Sequence, residues 1–226
     1  MAVMSDAWPA PIDRDTWRTL LRPALQVVDS LLDNGYGPLD FRLGGGTVLM
    51  LRFDHRLSKD VDIFTHDAQA LSFITPRLNE VAERLSTGYE EQANVVKLLR
   101  PEGDIDFIVA APVLMGLPVQ HMDFEGRRIA LDATAEILAK KLLYRAESFK
   151  ARDVFDMVAA LSLDRPAALA ALGATRGARP ALMARLATMA AVPPSSLTTG
   201  LMVSEAGRPF LDDMVARLQT AVAEVA

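Results

Sequence analysis

Residues Leu43–Thr65 read LGGGTVLMLRFDHRLSKDVDIFT. Three glycines and a threonine, Gly44-Gly45-Gly46-Thr47, lead into the apolar run Val48-Leu49-Met50-Leu51. Glycines allow a backbone to approach a ligand closely, and a helix that starts just behind them points free N–H groups at an anion. A short helix is therefore expected from Gly46 to Phe53, entered from a short strand at residues 41–43. A basic turn, His55-Arg56-Leu57-Ser58-Lys59, then leads to a strand from Lys59 to Phe64. Two residues apart in that strand, Asp60 and Asp62 project from one face, and Val61 and Ile63 point to a core on the other. Carboxylates held side by side repel unless a cation lies between them, so magnesium is the natural ligand. Strand, glycine turn, helix and Asp-x-Asp strand together point to metal-assisted phosphoryl chemistry.

Upstream of this unit, Leu20, Leu21, Leu25, Val28, Leu31 and Leu32 recur at helical spacing, which predicts a helix from about Asp15 to Asn34. Asn34-Gly35-Tyr36-Gly37-Pro38 ends it, and the Pro-containing residues 1–12 read as irregular. Downstream, Asp67 is an expected N-cap, followed by a helix with its main body from Pro76 to Leu85. Tyr89 to Leu99 reads as one strand, closed by the turn Arg100-Pro101-Glu102-Gly103. Asp104 to Val109 is the next strand, with Ile105, Phe107 and Val109 on one face and Asp104 and Asp106 on the other. A hairpin is expected across Glu125-Gly126, then a helix capped by Thr134 and running to about Phe149. Beyond Arg152 the signals are helical only, with Pro166, Pro180 and Pro209 each suiting a first turn and Pro193-Pro194 breaking the chain. The expected organisation is a mixed α/β part, residues 13–150, and a helical part, 151–226, packed together or apart.

The chain has 226 residues, half of them hydrophobic and 23% charged, so it can bury a sizeable core. With no cysteine, disulfides and thiolate metal sites are excluded, and a reducing cytoplasm is compatible. The N-terminus carries no signal-peptide pattern, and no apolar run approaches the roughly 20 residues of a membrane span. A net charge of −5 argues against broad nucleic-acid binding but leaves room for a local basic patch.

Metal-assisted phosphoryl transfer can use two metals about 3.5–4 Å apart, held by carboxylates from neighbouring strands. Asp60 and Asp62 supply two carboxylates, and Asp104 or Asp106 supplies the third, depending on strand register. Gly45, Gly46 and Thr47 would hold a triphosphate through backbone N–H groups and one hydroxyl. Ser58 would either bond a phosphate oxygen or cap its turn. Farther on, Lys141, Arg145, Ser148 and Arg152 fall on one face of the expected helix; this row reads by default as a solvated face, and alternatively as one whose like charges an anionic partner would relieve. The histidines, His55, His66 and His121, are not spaced for a zinc site and read as structural or exposed. Trp8 and Trp17 are expected to pack against the helical layer.

The order Gly45-Gly46-Thr47, then Ser58-Lys59-Asp60-Val61-Asp62, resembles the nucleotidyltransferase AbiEii/AbiGii toxin family, within the polymerase-β-like nucleotidyltransferases. Lys141, Arg145 and Arg152-Asp153-Val154-Phe155-Asp156 also match that family's lysine, arginine and basic-Asp-x-x-Asp step. The resemblance implies an α+β fold: a polymerase-β-like core, a small mixed sheet with flanking helices, followed by a helical C-terminal region. It favours Asp106 as third carboxylate, so that Asp60, Asp62 and Asp106 hold two Mg2+ ions. It implies that Lys141 contacts the nucleotide phosphates, with Arg145 beside it, and that Asp153 organises the site; Asp156 caps or pairs with nearby bases. The implied reaction moves NMP from an NTP to an RNA end or a protein side chain with release of pyrophosphate, Asp106 assisting deprotonation of the acceptor. A toxin role with a separate antitoxin partner is implied too. Two other readings stand beside it: a nucleotide-binding module without turnover, and a transferase acting on a small molecule such as an antibiotic. A basic channel leading to Asp60 would favour RNA, and a small closed pocket would favour a small acceptor.

Overall fold

The computed structural model describes residues 14–37 and 40–225. The irregular start, Trp8 and Pro38 lie outside them. Helix α1 (Thr16–Asp33) ends at Asn34, as the glycines behind it require. Strand β1 (Arg42–Leu43), helix α2 (Gly45–Phe53) and strand β2 (Val61–Thr65) follow where the opening stretch places them. β1 and β2 are antiparallel, with Leu43 opposite Ile63.

The helix expected around Pro76 is two. Asp67 caps α3 (Ala68–Ile74), accepting from the Gln69 N–H at 2.9 Å. Asn79 caps α4 (Glu80–Leu85), accepting from Val81 and Ala82 N–H groups at 3.0 Å. Pro76 falls in the break, and Thr75 before it is extended, as the clash ahead of a proline demands. The strand expected over residues 89–99 is a hairpin, β3 (Gly88–Gln92) and β4 (Val95–Arg100), turning at Ala93-Asn94. No glycine or proline marks that turn, and β3 is mostly exposed, so neither punctuation nor alternation announced it. Strand β5 (Gly103–Val109) and the hairpin of β6 (Gln120–Phe124) and β7 (Arg127–Leu131) match expectation.

Thr134 is the first residue of α5 (Thr134–Arg145) and not its side-chain cap; its hydroxyl lies 3.2 Å from Arg52 Nη1. The helix stops at Arg145, four residues short of Phe149. A 3-10 turn at Ala146–Ser148 follows, then α6 (Ala151–Leu163). Arg152 therefore stands on a different helix from Lys141 and Arg145. Pro166 and Pro180 open α7 (Arg165–Ala174) and α8 (Arg179–Ala190) as expected. After α9 (Pro194–Leu197), Pro209 sits in a 3-10 turn, and α10 (Met214–Glu224) closes the described chain.

The fold is mixed α/β: seven strands among the described residues form one sheet in the order β3-β4-β5-β2-β1-β7-β6. β2 runs parallel to β5, and β1 parallel to β7. α1 and α3 cover one face, where Val61, Ile63, Val96, Leu98, Ile105 and Phe107 are buried. Trp17 packs there on Phe124 of β6, ring centroids 5.7 Å apart, so it meets the sheet edge and not a helical layer. On the other side of the molecule α6 packs on α2, α7 on α5 and α6, and α10 on α6 and α8. One hydrophobic cluster runs from α1 through the sheet to α10.

The C-terminal segment also grips the basic turn. The Leu57 N–H donates to the Met202 carbonyl at 2.8 Å, and the Ser204 N–H to the His55 carbonyl at 3.1 Å. The Ser204 hydroxyl donates to the Asp54 carbonyl. Gly207 lies so close that a Cβ there would stand 1.8 Å from the His55 carbonyl oxygen.

Candidate active site

The parallel pairing of β2 with β5 sets Asp62 opposite Asp106, and the antiparallel pairing of β5 with β4 sets Lys97 opposite Asp106. Paired residues share a face of a sheet, so Asp62, Asp106 and Lys97 form one acidic tier with a cation at its end. The next tier along is apolar: Phe64, Ile108 and Val95, in the same registers. Asp60 lies one residue ahead of β2; its Oδ1 accepts from the Asp104 N–H at 3.1 Å. These side chains line a cleft of about 670 Å³. Lys141, Tyr144, Arg145, Lys150 and Arg152 from α5 and the start of α6 form another part of its wall.

The register also separates the two candidates for third carboxylate. Asp106 stands beside Asp62, whereas Asp104 lies ahead of the first β2–β5 pair, at the level of Asp60, which precedes β2. Burial pushes the Asp106 carboxyl up, Asp62 beside it adds to the rise, and Lys97 opposes both; the carboxyl settles at about 6. The Lys97 ammonium is 2.7 Å from Asp106 Oδ1, but its aligned hydrogen bond goes to Oδ2 at 3.0 Å, leaving buried Oδ1 without a directed donor. It also bonds Asp104 at 3.2 Å. Burial works to lower the Lys97 ammonium, and Asp106 and Asp104 outweigh it, so the group is held above its ordinary range.

The glycine turn is filled by the site itself. Gly45 has φ +65°, and a Cβ there would stand 1.8 Å from Asp62 Oδ2. At Gly46 it would stand 2.6 Å from Arg56 Nη2 and 2.9 Å from Ser58 Oγ. Both glycines line the cleft at the start of α2, where backbone N–H groups have no partner within the helix. Ser58 lines the cleft beside them. Thr47 does not reach it: fully buried, it donates its hydroxyl to the Asp60 carbonyl at 2.5 Å. The expected phosphate contact of Thr47 gives way to a bond that ties α2 to the residue before β2.

Behind the cleft wall lies a buried charge cluster. The Asp156 carboxylate accepts from Arg56 Nε at 2.6 Å and Nη2 at 2.9 Å, contacts His55 Nε2 at 2.7 Å, and lies 3.2 Å from Lys141 Nζ. Lys141 donates to Asp153 at 2.7 Å, and Asp153 also accepts from the Lys150 N–H at 3.1 Å, reaching back over the first turn of α6. Burial would raise the Asp156 carboxyl, but Arg56 and Lys141 hold it well below the usual carboxylate range. Asp153 is likewise lowered, with Lys141 outweighing burial. A buried pair persists where each charge is matched and hydrogen-bonded. Arg56 and Lys141 match Asp153 and Asp156. Lys141 is thus a buried, doubly paired cation at the cleft wall and no part of a solvated row. Arg145, more exposed, lies 3.7 Å from Asp153.

Asp156 joins three cationic or imidazole partners across about a hundred residues of sequence and is more than a cap. His55 is buried in that cluster and stacks on Phe155, while His66 and His121 are exposed, beside Asp40 and Arg128. Lys97 and Arg56 are the site residues that sequence reasoning did not single out. Arg56 was visible within the basic turn. Lys97 lay in a stretch read as one long strand, with nothing to show that it faces Asp106.

A divalent ion suits part of this arrangement. Asp62 and Asp106 stand abreast on the face that lines the cleft, with Asp60 beside them just ahead of β2. Among the described residues, however, no three His, Asp or Glu side chains gather in a group that could hold a metal ion.

The family model described as nucleotidyl transferase AbiEii toxin, type IV TA system, matches residues 29–222. Among solved structures, one described as a "putative nucleotidyltransferase" from H. pylori aligns over 94% of this chain and 98% of that one, with 15% identity and a TM-score of 0.42. That likeness is too distant to carry a residue across. No curated protein matches the chain.

Proposed function

Because the chain belongs to the AbiEii nucleotidyltransferase toxin family of type IV toxin–antitoxin systems, we propose that it transfers a nucleoside monophosphate from an NTP to the end of an RNA strand, with magnesium as cofactor. The observation that carries this reading is the register that sets Asp62 beside Asp106 in a cleft walled by Lys141, Arg145 and Arg152. Gly45 and Gly46 offer N–H groups at the α2 N-terminus to the polyphosphate, with Ser58 beside them. Lys141 and Arg145 face its negative charge, and Asp153 and Asp156 hold Lys141 in place. Asp62 and Asp106, with Asp60, would hold the metal, which when bound polarises the α-phosphate and neutralises the leaving group. Asp106 takes the proton of the acceptor hydroxyl. The acceptor oxygen then bonds to the α-phosphorus, the bond to the bridging oxygen of the β-phosphate breaks, and pyrophosphate leaves.

A second groove supports a polyanionic acceptor. It shares Arg56, Ser58, Asp60, Lys150 and Arg152 with the cleft and adds Lys59 and the loop from Leu197 to Met202. Its volume is about 410 Å³, and its cations lead to Asp60 despite the net negative charge of the chain, as a phosphodiester backbone requires. The family's type IV context supports an antitoxin as partner. No described helix is long and apolar enough to cross a membrane, and the cysteine-free chain suits a reducing cytoplasm as its place of action.

The test is a transfer assay with each of four α-labelled NTPs, magnesium and total cellular RNA, run beside Asp60→Ala. Label on RNA from one NTP, absent with the variant, is the expected result. Label on protein moves the acceptor to a side chain. No transfer and no NTP binding, with small-molecule acceptors also supplied, leaves a binding module without turnover.

A further inference from the structure

We propose that Lys97 is a resident counter-ion of the acidic tier, standing where a divalent ion would share Asp106 and yielding that place only when metal and nucleotide arrive together. The inference rests on the reading of Asp62 and Asp106 as metal ligands.

Three observations carry it. Lys97 is opposite Asp106 in the β4–β5 register, on the face that lines the cleft. Its ammonium lies 2.7 Å from Asp106 Oδ1 and 3.2 Å from Asp104 Oδ2, so it draws both carboxylates toward β4. Asp62, which flanks Asp106 on the other side, has no share in that bridge. Lys97 thus takes one side of Asp106, and Asp62 stands on the other.

The ammonium is a point charge on a flexible four-carbon stem, and a quarter of the side chain is exposed to the cleft. It is tethered, so it occupies its place at no cost in translational freedom. A free divalent ion must shed water and displace it, which magnesium does reluctantly. A metal–nucleotide complex brings phosphate oxygens as further ligands for the metal and as a new anion for the displaced ammonium. The consequence is an order of binding: the free protein takes divalent ions poorly, and the nucleotide brings the metal in. Lys97 acts here as a positioning residue, through Asp106.

The probe is Mn2+, followed by electron paramagnetic resonance of the unbound ion, on the full chain without nucleotide. Lys97→Met is expected to bind Mn2+ about tenfold or more tighter than wild type, since a like charge paired with the carboxylate that would hold the ion is removed. Adding Asp106→Asn to that variant should abolish the gain. Lys97→Gln serves as the second variant should the first misfold by circular dichroism. Equal Mn2+ affinity of wild type and the Lys97 variants, with Asp62→Asn binding more weakly than wild type, overturns this inference alone. Equal binding by wild type and Asp62→Asn, with and without each NTP, overturns the metal reading and this inference with it.

Discussion

At Gly45 a single methyl group would decide whether Asp62 can stand where it does. The backbone there has φ +65°, and the space a Cβ would fill holds the Asp62 carboxylate. Gly45→Ala is expected to cost about 1–2 kcal/mol for the left-handed conformation alone. By pushing Asp62 aside it should also lower transfer by about a hundredfold, the usual effect of a displacement near 1 Å in a reacting constellation. Chemical denaturation and single-turnover kinetics on the same preparation separate the two losses. Asp62→Asn should do the opposite to stability. Asp62 and Asp106 stand abreast in the tier, and after burial the Asp62 charge is the next cause that raises the Asp106 carboxyl. Removing one charge is expected to add about 0.5–2 kcal/mol of stability while transfer is lost, the trade expected where a site stores repulsion for a ligand. A fall in melting temperature would show that Asp62 has a structural partner instead.

Among the elements, α6 couples the cleft to the basic turn. Asp153 and Asp156 lie three apart on it, and through them Lys141 of α5 and Arg56 after α2 are held in one buried cluster. Asp156→Asn leaves Arg56 and Lys141 short of one negative charge in a buried place, and about 3–5 kcal/mol of stability should be lost. The pH dependence has a definite sign. The folded carboxyl is held well below its ordinary value of 3.8, so the unfolded chain takes up the proton first. The stabilisation is complete above that ordinary value and disappears as pH falls toward the folded one. Urea denaturation of wild type should therefore show stability dropping below about pH 4, and the Asp156→Asn curve should be flatter there. The pattern Arg-Asp-x-x-Asp was legible in the sequence, but its partners were not: Arg56 and His55 lie about a hundred residues away. No local periodicity encodes such a pairing.

For the molecule as a whole, the segment from Leu201 to Gly207 binds the helical region to the turn that carries Arg56 and Ser58. The helices beyond Arg152 carried no readable motif, yet they support the site from behind. Gly207→Ala would drive a methyl group into the His55 carbonyl. The expected cost is about 1–3 kcal/mol, as for other overpacked interiors, and transfer should fall although Gly207 lies outside the cleft. Equilibrium unfolding should remain a single transition, because one hydrophobic cluster spans both regions. Two separate transitions would show that the regions fold independently.

By itself the sequence determined the strand–glycine turn–helix–strand unit, the alternation that puts Asp60 and Asp62 on one face and Asp104 and Asp106 on theirs, and the helical character of everything beyond Arg152. These are local properties, written in spacings of two and of three to four residues. The hairpin at Ala93-Asn94 and the break at Arg145 escaped it, since neither carries a glycine or proline to mark it. The tertiary structure alone decided that Asp106 and not Asp104 stands beside Asp62, that Lys97 bridges the acids, that Thr47 turns its hydroxyl inward, and that Lys141 is buried between two carboxylates. Each of these depends on which strand or helix lies next to which. That choice is made by packing between segments far apart in the chain, which spacing along one segment cannot record.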